Sequence, residues 1–317
     1  MWSLPSPSPL LSVPPLRPIR PLSAVLVAGL LALGWGVPAQ AQQAPPFQRT
    51  VEGEWIAPRW MGDVAFLSTN ALTGGVAAGV LRRLEGGRFR DGFAAGTLGG
   101  ATAYVGRRVA AEGFDGAGLV GRQISGVGAS MVRNAGEGRP LLDHLIFPVG
   151  PLRLHVDRSR EEGVRIQPQV SAHDLAWTVG FVLSSDTEFD LSSSLSAGAP
   201  VFRAPQRQFR GPDGDVADGL SIAGVVGLAD VPEERLRVVF PHERVHVLQY
   251  DFGSIVWGEP VERRILERHR WGREVSRWVT PSVVFPAVRG GFYGLLGVEH
   301  RNQPAEIEAK FLDRGRR

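Results

Sequence analysis

The chain has no cysteine and only one lysine, Lys310. Without cysteine there is no disulfide framework, no thiolate metal site and no cysteine nucleophile. Basic charge is carried by arginine, and the formal net charge is only +3 with histidine neutral. No dense basic run interleaved with aromatics occurs, so no nucleic-acid partner is expected. Gly-x-Ser-x-Gly is missing, as are a phosphate-binding loop and a dinucleotide fingerprint set between a strand and a helix. The many glycine doublets are therefore read as turn and helix-packing residues.

What is present starts with an export pattern. Arg17 and Arg20 precede an apolar stretch over 22–37, and Ala39-Gln40-Ala41 fits a cleavage site. This reads as a signal peptide over 1–41 and places the mature protein in the periplasm or outer envelope. Residues 42–62 are a Gln/Pro-rich leader. The remaining length is enough for a full core in one domain or two.

Three regions follow. Residues 63–148 are rich in Gly and Ala and predict helices near 63–84, 90–111 and 116–134. Gly92, Gly96 and Gly100, and likewise Gly75 and Gly79, recur every fourth residue. That spacing puts small residues on one stripe and lets helix backbones approach. The expectation is tightly packed soluble helices, the alternative being a layer on or partly within a membrane surface. Residues 149–231 alternate apolar and polar side chains, and predict an antiparallel β-meander with one wet face. Trp177, Val179, Phe181 and Leu183 are counted among its strands. His155 and His173 are read as surface residues there, 206–219 as an exposed loop and 220–228 as a buried strand. Residues 232–317 are the helical region expected to hold a metal. Within it, 262–270 reads as a solvated charged helix, and the apolar run 279–298 as a packed helix pair. The fold class expected from this pattern is α+β.

The strongest signal lies in the last region. His242-Glu243-Arg244-Val245-His246 reads H-E-x-x-H. Residues four apart share one helix face, so both imidazoles can grip one ion while Glu243 serves as general base. The preceding 236–240 reads as a strand, with Pro241 opening the helix. A catalytic zinc keeps three protein ligands and one open position. Carboxylates near the start of a second helix, Glu306 and Glu308, can supply the third. Glu259 and the pair Glu299 and His300 compete for that role.

These residues resemble the zincins whose third ligand is a glutamate on a later helix. In the CAAX prenyl-protease type that segment reads E-x-x-A-D. Here Glu306-Ile307-Glu308-Ala309-Lys310 departs from it, with lysine at the aspartate position. Stretches 242–250 and 302–309 are also similar to those of a group of bacterial proteins carrying HERVHVxQY and, later, an E-x-E-A segment. The resemblance spans about a quarter of the chain. It implies zinc held by His242, His246 and Glu306. Glu308, roughly 200° further round the helix, would then pair with a surface arginine. Lys310 removes the family's usual supporting carboxylate.

Two functions follow as expectations. The first is a zinc-dependent hydrolase, a metallopeptidase acting on a peptide or protein substrate outside the cytoplasm. The second is a non-catalytic envelope protein that binds a partner or membrane surface, its metal site degenerate or structural.

Overall fold

The computed structural model describes residues 59–160, 163–205, 209–210, 216–296 and 303–313. The expected signal peptide, most of the leader, Glu299 and His300 lie outside these residues. The class is α+β.

Three long helices come first: α1 (Arg59–Leu84), α2 (Phe89–Ala110) and α3 (Ala117–Glu137). Their bounds fall close to those expected, and glycine explains the packing. A Cβ on Gly74 would sit 2.6 Å from the Gly96 carbonyl oxygen, and one on Gly99 would sit 2.7 Å from that of Gly128. Only hydrogen fits between these backbones, so the small-residue stripes are the contact surfaces. Helix α3 is central. Ala129 and Val132 pack with Ile255, Val256 and Trp257 from the C-terminal region.

Next come β1 (His144–Val149), β2 (Leu152–Arg160) and β3 (Gly163–Ser171). They form an antiparallel meander, joined by β10 (Val279–Thr280) running parallel to β3. The expectation of one wet face is corrected in direction. The register aligns His144 with Asp157, His155 with Gln167 and Arg153 with Gln169. That polar face turns inward: His144, Arg153 and His155 are buried. The apolar face carries Val149, Leu152, Val164 and Ile166, and it is exposed.

The meander stops at Ser171. Residues Trp177, Val179, Phe181 and Leu183, read from their alternation as strand, lie in helix α4 (Ala172–Leu183). The Ser171 hydroxyl accepts from the Asp174 N–H and caps the helix. Ser171-x-x-Asp174 is a helix-start signal that β-branched and aromatic alternation masked.

A second sheet has the order β4 (Glu188–Phe189), β5 (Val201–Ala204), β9 (Val225–Ala229), β8 (Gly219–Ile222). Helix α5 (Leu191–Ala197) lies between β4 and β5 in sequence, and β6 (Phe209–Arg210) pairs with β7 (Val216–Ala217). The single buried strand expected over 220–228 is a hairpin: β9 is fully buried and β8 is the sheet's edge.

Helix α6 (Glu233–Gly253) carries H-E-x-x-H. The strand expected over 236–240 is the first part of this helix. Pro232 precedes it, and Glu233 and Glu234 occupy its first turn, where carboxylates favour the helix N-terminus. Pro241 therefore lies inside α6 and removes one backbone donor there. The strand before the motif is β9, a few residues upstream.

A π turn (Ser254–Gly258) links α6 to α7 (Glu259–Leu266), followed by α8 (Arg270–Val275). The expected helix pair over 279–298 is one strand, β10, and one helix, α9 (Val284–Leu296). Helix α10 (Pro304–Asp313) closes the described chain. Glu262, expected on a solvated face, is buried. It accepts from the N–H groups of Ser282, Val283 and Val284 at 2.7–2.8 Å, capping the start of α9.

Candidate metal centre

Helix α10 packs on α6, bringing Glu306 beside the two histidines of the motif. The ligand atoms of His242, His246 and Glu306 all lie within 4.8 Å of one another. Nε2 of His246 is 3.0 Å from Nε2 of His242 and 3.0 Å from Oε1 of Glu306. Nε2 of His242 is 3.4 Å from Oε2 of Glu306.

These spacings test whether a metal fits. Zinc takes imidazole nitrogen and carboxylate oxygen at about 2.0–2.1 Å, so a tetrahedral set has ligand atoms roughly 3.3 Å apart. The three separations bracket that value. The donor set, two imidazoles and one carboxylate, is one that catalytic zinc uses. The residues present therefore fit the ion.

His246 is oriented from behind. Its Nδ1 lies 2.8 Å from Oε1 of Gln249, which as an acceptor holds the proton on Nδ1 and leaves the Nε2 lone pair facing Glu306. The Gln249 amide in turn donates to the Ala305 carbonyl at 3.0 Å and to Oε2 of Glu308 at 2.8 Å. Glu308 accepts from Arg107 Nε at 3.1 Å and from Asn70 at 2.9 Å. Arg107 also bonds the Asn70 side-chain oxygen. Gln249, Glu308 and Arg107 are all buried. Glu308 does pair with an arginine, but inside the protein rather than at the surface. This chain of groups ties the ligand helices to α1 and α2. No spacing along the chain points to Asn70 or Arg107, because four separate helices supply the parts.

Lys310 stands where the resembled family has aspartate. Its Nζ lies 3.7 Å from Oε2 of Glu306, so a cation faces the outer oxygen of the third candidate ligand.

Glu243 is buried against the edge strand. A Cβ on Gly219 of β8 would meet Glu243 Cγ at 2.8 Å and Oε1 at 2.9 Å. The Ser221 hydroxyl donates to the Glu243 carbonyl at 2.9 Å, fixing β8 along α6.

The other candidates are committed elsewhere. Glu259 is buried between Arg133, at 2.6 Å, and Arg153. Burial alone would raise its carboxyl, but the two guanidiniums hold it well below the usual range. It supports the junction of α7 with α3 and β2 and is not part of the triad. His155, expected at the surface, is buried with His144, ring nitrogens 3.0 Å apart. Burial, helped by nearby arginine, pushes His144 down to about 4, and burial pushes His155 to about 3. His173 lies in the first turn of α4, its Nδ1 3.0 Å from the Tyr250 hydroxyl. His269 precedes α8, stacked beside Trp271, outside the triad.

No family model, curated protein or solved structure matches this chain.

Proposed function

We propose that the protein is an exported zinc-dependent hydrolase of the peptidase class. The observation that carries this reading is the convergence of His242, His246 and Glu306 from two helices distant in sequence, at spacings that suit one ion. Zinc bound there would supply Lewis-acid polarisation of a scissile carbonyl and of an attacking water.

The chain's own groups do the rest. Glu243 takes the proton from the attacking water and passes it to the departing amine nitrogen. Gln249 keeps His246 in the ligating tautomer, and Glu308 and Arg107 hold Gln249 in place. Among the described residues strand β8 is an edge of its sheet beside Glu243, and it suits an extended peptide added as a further strand. The edge strand would place the peptide's backbone across the metal centre.

One observation favours the second reading, a degenerate or structural site in an envelope protein. Lys310 competes with a metal for Glu306. Zinc content and hydrolysis of a casein or peptide-library substrate separate the two. An enzyme binds one zinc per chain, and Glu243→Gln keeps the zinc but loses cleavage. A structural site keeps zinc with no cleavage in either protein.

A further inference from the structure

Two consecutive parts of the chain carry apolar side chains on their outward faces. In a water-soluble antiparallel sheet the apolar face meets the core and the polar face meets solvent. Across β1, β2 and β3 the inward face is mixed, with polar residues buried beside Ile146, and apolar side chains lie outside. His144, Arg153 and His155 are buried, whereas Val149, Leu152, Val164 and Ile166 are between 41% and 64% exposed. The cross-strand pairs Leu145 with Val156, Phe147 with Leu154, and Val156 with Ile166 extend the apolar side. Between 144 and 157 this outward side bears no charged residue.

Helix α4 repeats the pattern. Leu175, Val179, Val182 and Leu183 have the i, i+4, i+7, i+8 spacing that normally marks a core-facing stripe. Here all four are exposed, Leu183 at 79%. Inward, Phe181 stacks on the buried Phe202, ring centroids 5.1 Å apart, and Asp174 is buried. Burial raises its carboxyl.

We propose that the outward face of the β1–β3 sheet and the exposed stripe of α4 bind the surface of a lipid bilayer. An apolar face left outside is unfavourable in water and favourable against hydrocarbon, and lipid-facing strands turn apolar side chains outward. The rim fits the same surroundings. Trp278, whose carbonyl accepts from Val170 of β3 at 2.7 Å, is 62% exposed and follows Arg277. An indole beside a guanidinium suits the headgroup zone.

A bilayer is favoured over a second copy because apolar surface is exposed on other elements as well. Val64, Leu67 and Leu72 of α1 and Leu98 and Val105 of α2 are exposed on helices with no charge over 64–81 and 92–106. Helix α1 is also long and apolar enough to cross a membrane, with a third of its apolar window buried. A dimer contact would cover one patch and leave the other wet. This inference stands apart from the metal chemistry.

The test is flotation of the full chain with vesicles of phosphatidylethanolamine and phosphatidylglycerol, at low and high salt. The chain is expected to float in both, because apolar contact is not screened. The triple variant Ile166→Glu, Val182→Glu, Leu183→Glu alters only exposed positions. It should keep its circular dichroism spectrum and lower the vesicle-bound fraction on the order of tenfold or more. Acyl-chain bromination should quench the fluorescence of Trp177 and Trp278, a readout on the unaltered protein. The proposal is overturned by a chain that stays with the aqueous phase, or by a triple variant that floats as well as the parent. It is also overturned by a lipid-free dimer that the same substitutions split into monomers.

Discussion

Oε1 of Gln249 sits 2.8 Å from Nδ1 of His246, one turn back along the same helix. The bond decides which imidazole nitrogen is free for a metal, and Gln249 passes the constraint on to Glu308. The geometry of the candidate ligand set thus depends on the packing of α10 against α6 and α2.

Replacing Gln249 with leucine should remove that control without removing a ligand. Zinc affinity is expected to fall roughly 10–100-fold, with the zinc stoichiometry restored at high metal concentration. Competition with a chromophoric chelator measures this. Unchanged affinity would show that His246 needs no orienting partner.

Glu308→Ala leaves the Arg107 guanidinium buried without its carboxylate. Removing one partner of a buried pair destabilises by about 3–5 kcal/mol. Urea unfolding of the metal-free chain should register the loss. A change below about 1 kcal/mol would contradict the buried network.

Gly219→Ala places a methyl group against Glu243 and Val239. Zinc content should stay the same while hydrolysis falls, on the order of a hundredfold for an ångström's displacement of the base. Parallel zinc analysis and initial-rate measurements separate the two effects.

Acid should loosen the junction of the first sheet with α3. His144 and His155 titrate near 4 and 3 when folded, against an ordinary value of 6.5. Their folded values are depressed, so the stability they permit is complete above pH 6.5 and is lost as pH falls toward those values. For His144 the full effect is roughly 3 kcal/mol. Urea midpoints between pH 7 and 5 should drop in the parent. They should change less in a His144→Phe, His155→Leu double variant, where no imidazole must be charged. Equal slopes for both would refute the assignment.

How much of this could be read in the sequence depends on the range of each interaction. The helices α1 to α3 were legible, since glycine every fourth residue records close helix contact directly. The pair His242 and His246 was legible because i, i+4 spacing is a local property. Glu306 came from a resemblance, and the structure brings it to the pair. The strand expected over 236–240 and the one over 177–183 were lost to the same cause. Runs such as Val238-Val239-Phe240 and Trp177-x-Val179-x-Phe181 imitate sheet residues, while the first-turn carboxylates Glu233 and Glu234 and the Ser171 cap favour the helices. The inward turn of His155 and the buried bonds of Glu308 depend on partners 59 to 238 residues away, or on which sheet face meets α3. Local patterning carries no record of either.

The central claim is that one ion binds among His242, His246 and Glu306. Its most direct test is the zinc content of the purified chain, by inductively coupled plasma mass spectrometry, beside that of Glu306→Ala. The account predicts one zinc per parent chain and a clear loss in the variant at equal zinc supply. A parent that purifies and reconstitutes without zinc, or a Glu306→Ala chain that holds it as tightly, would contradict it.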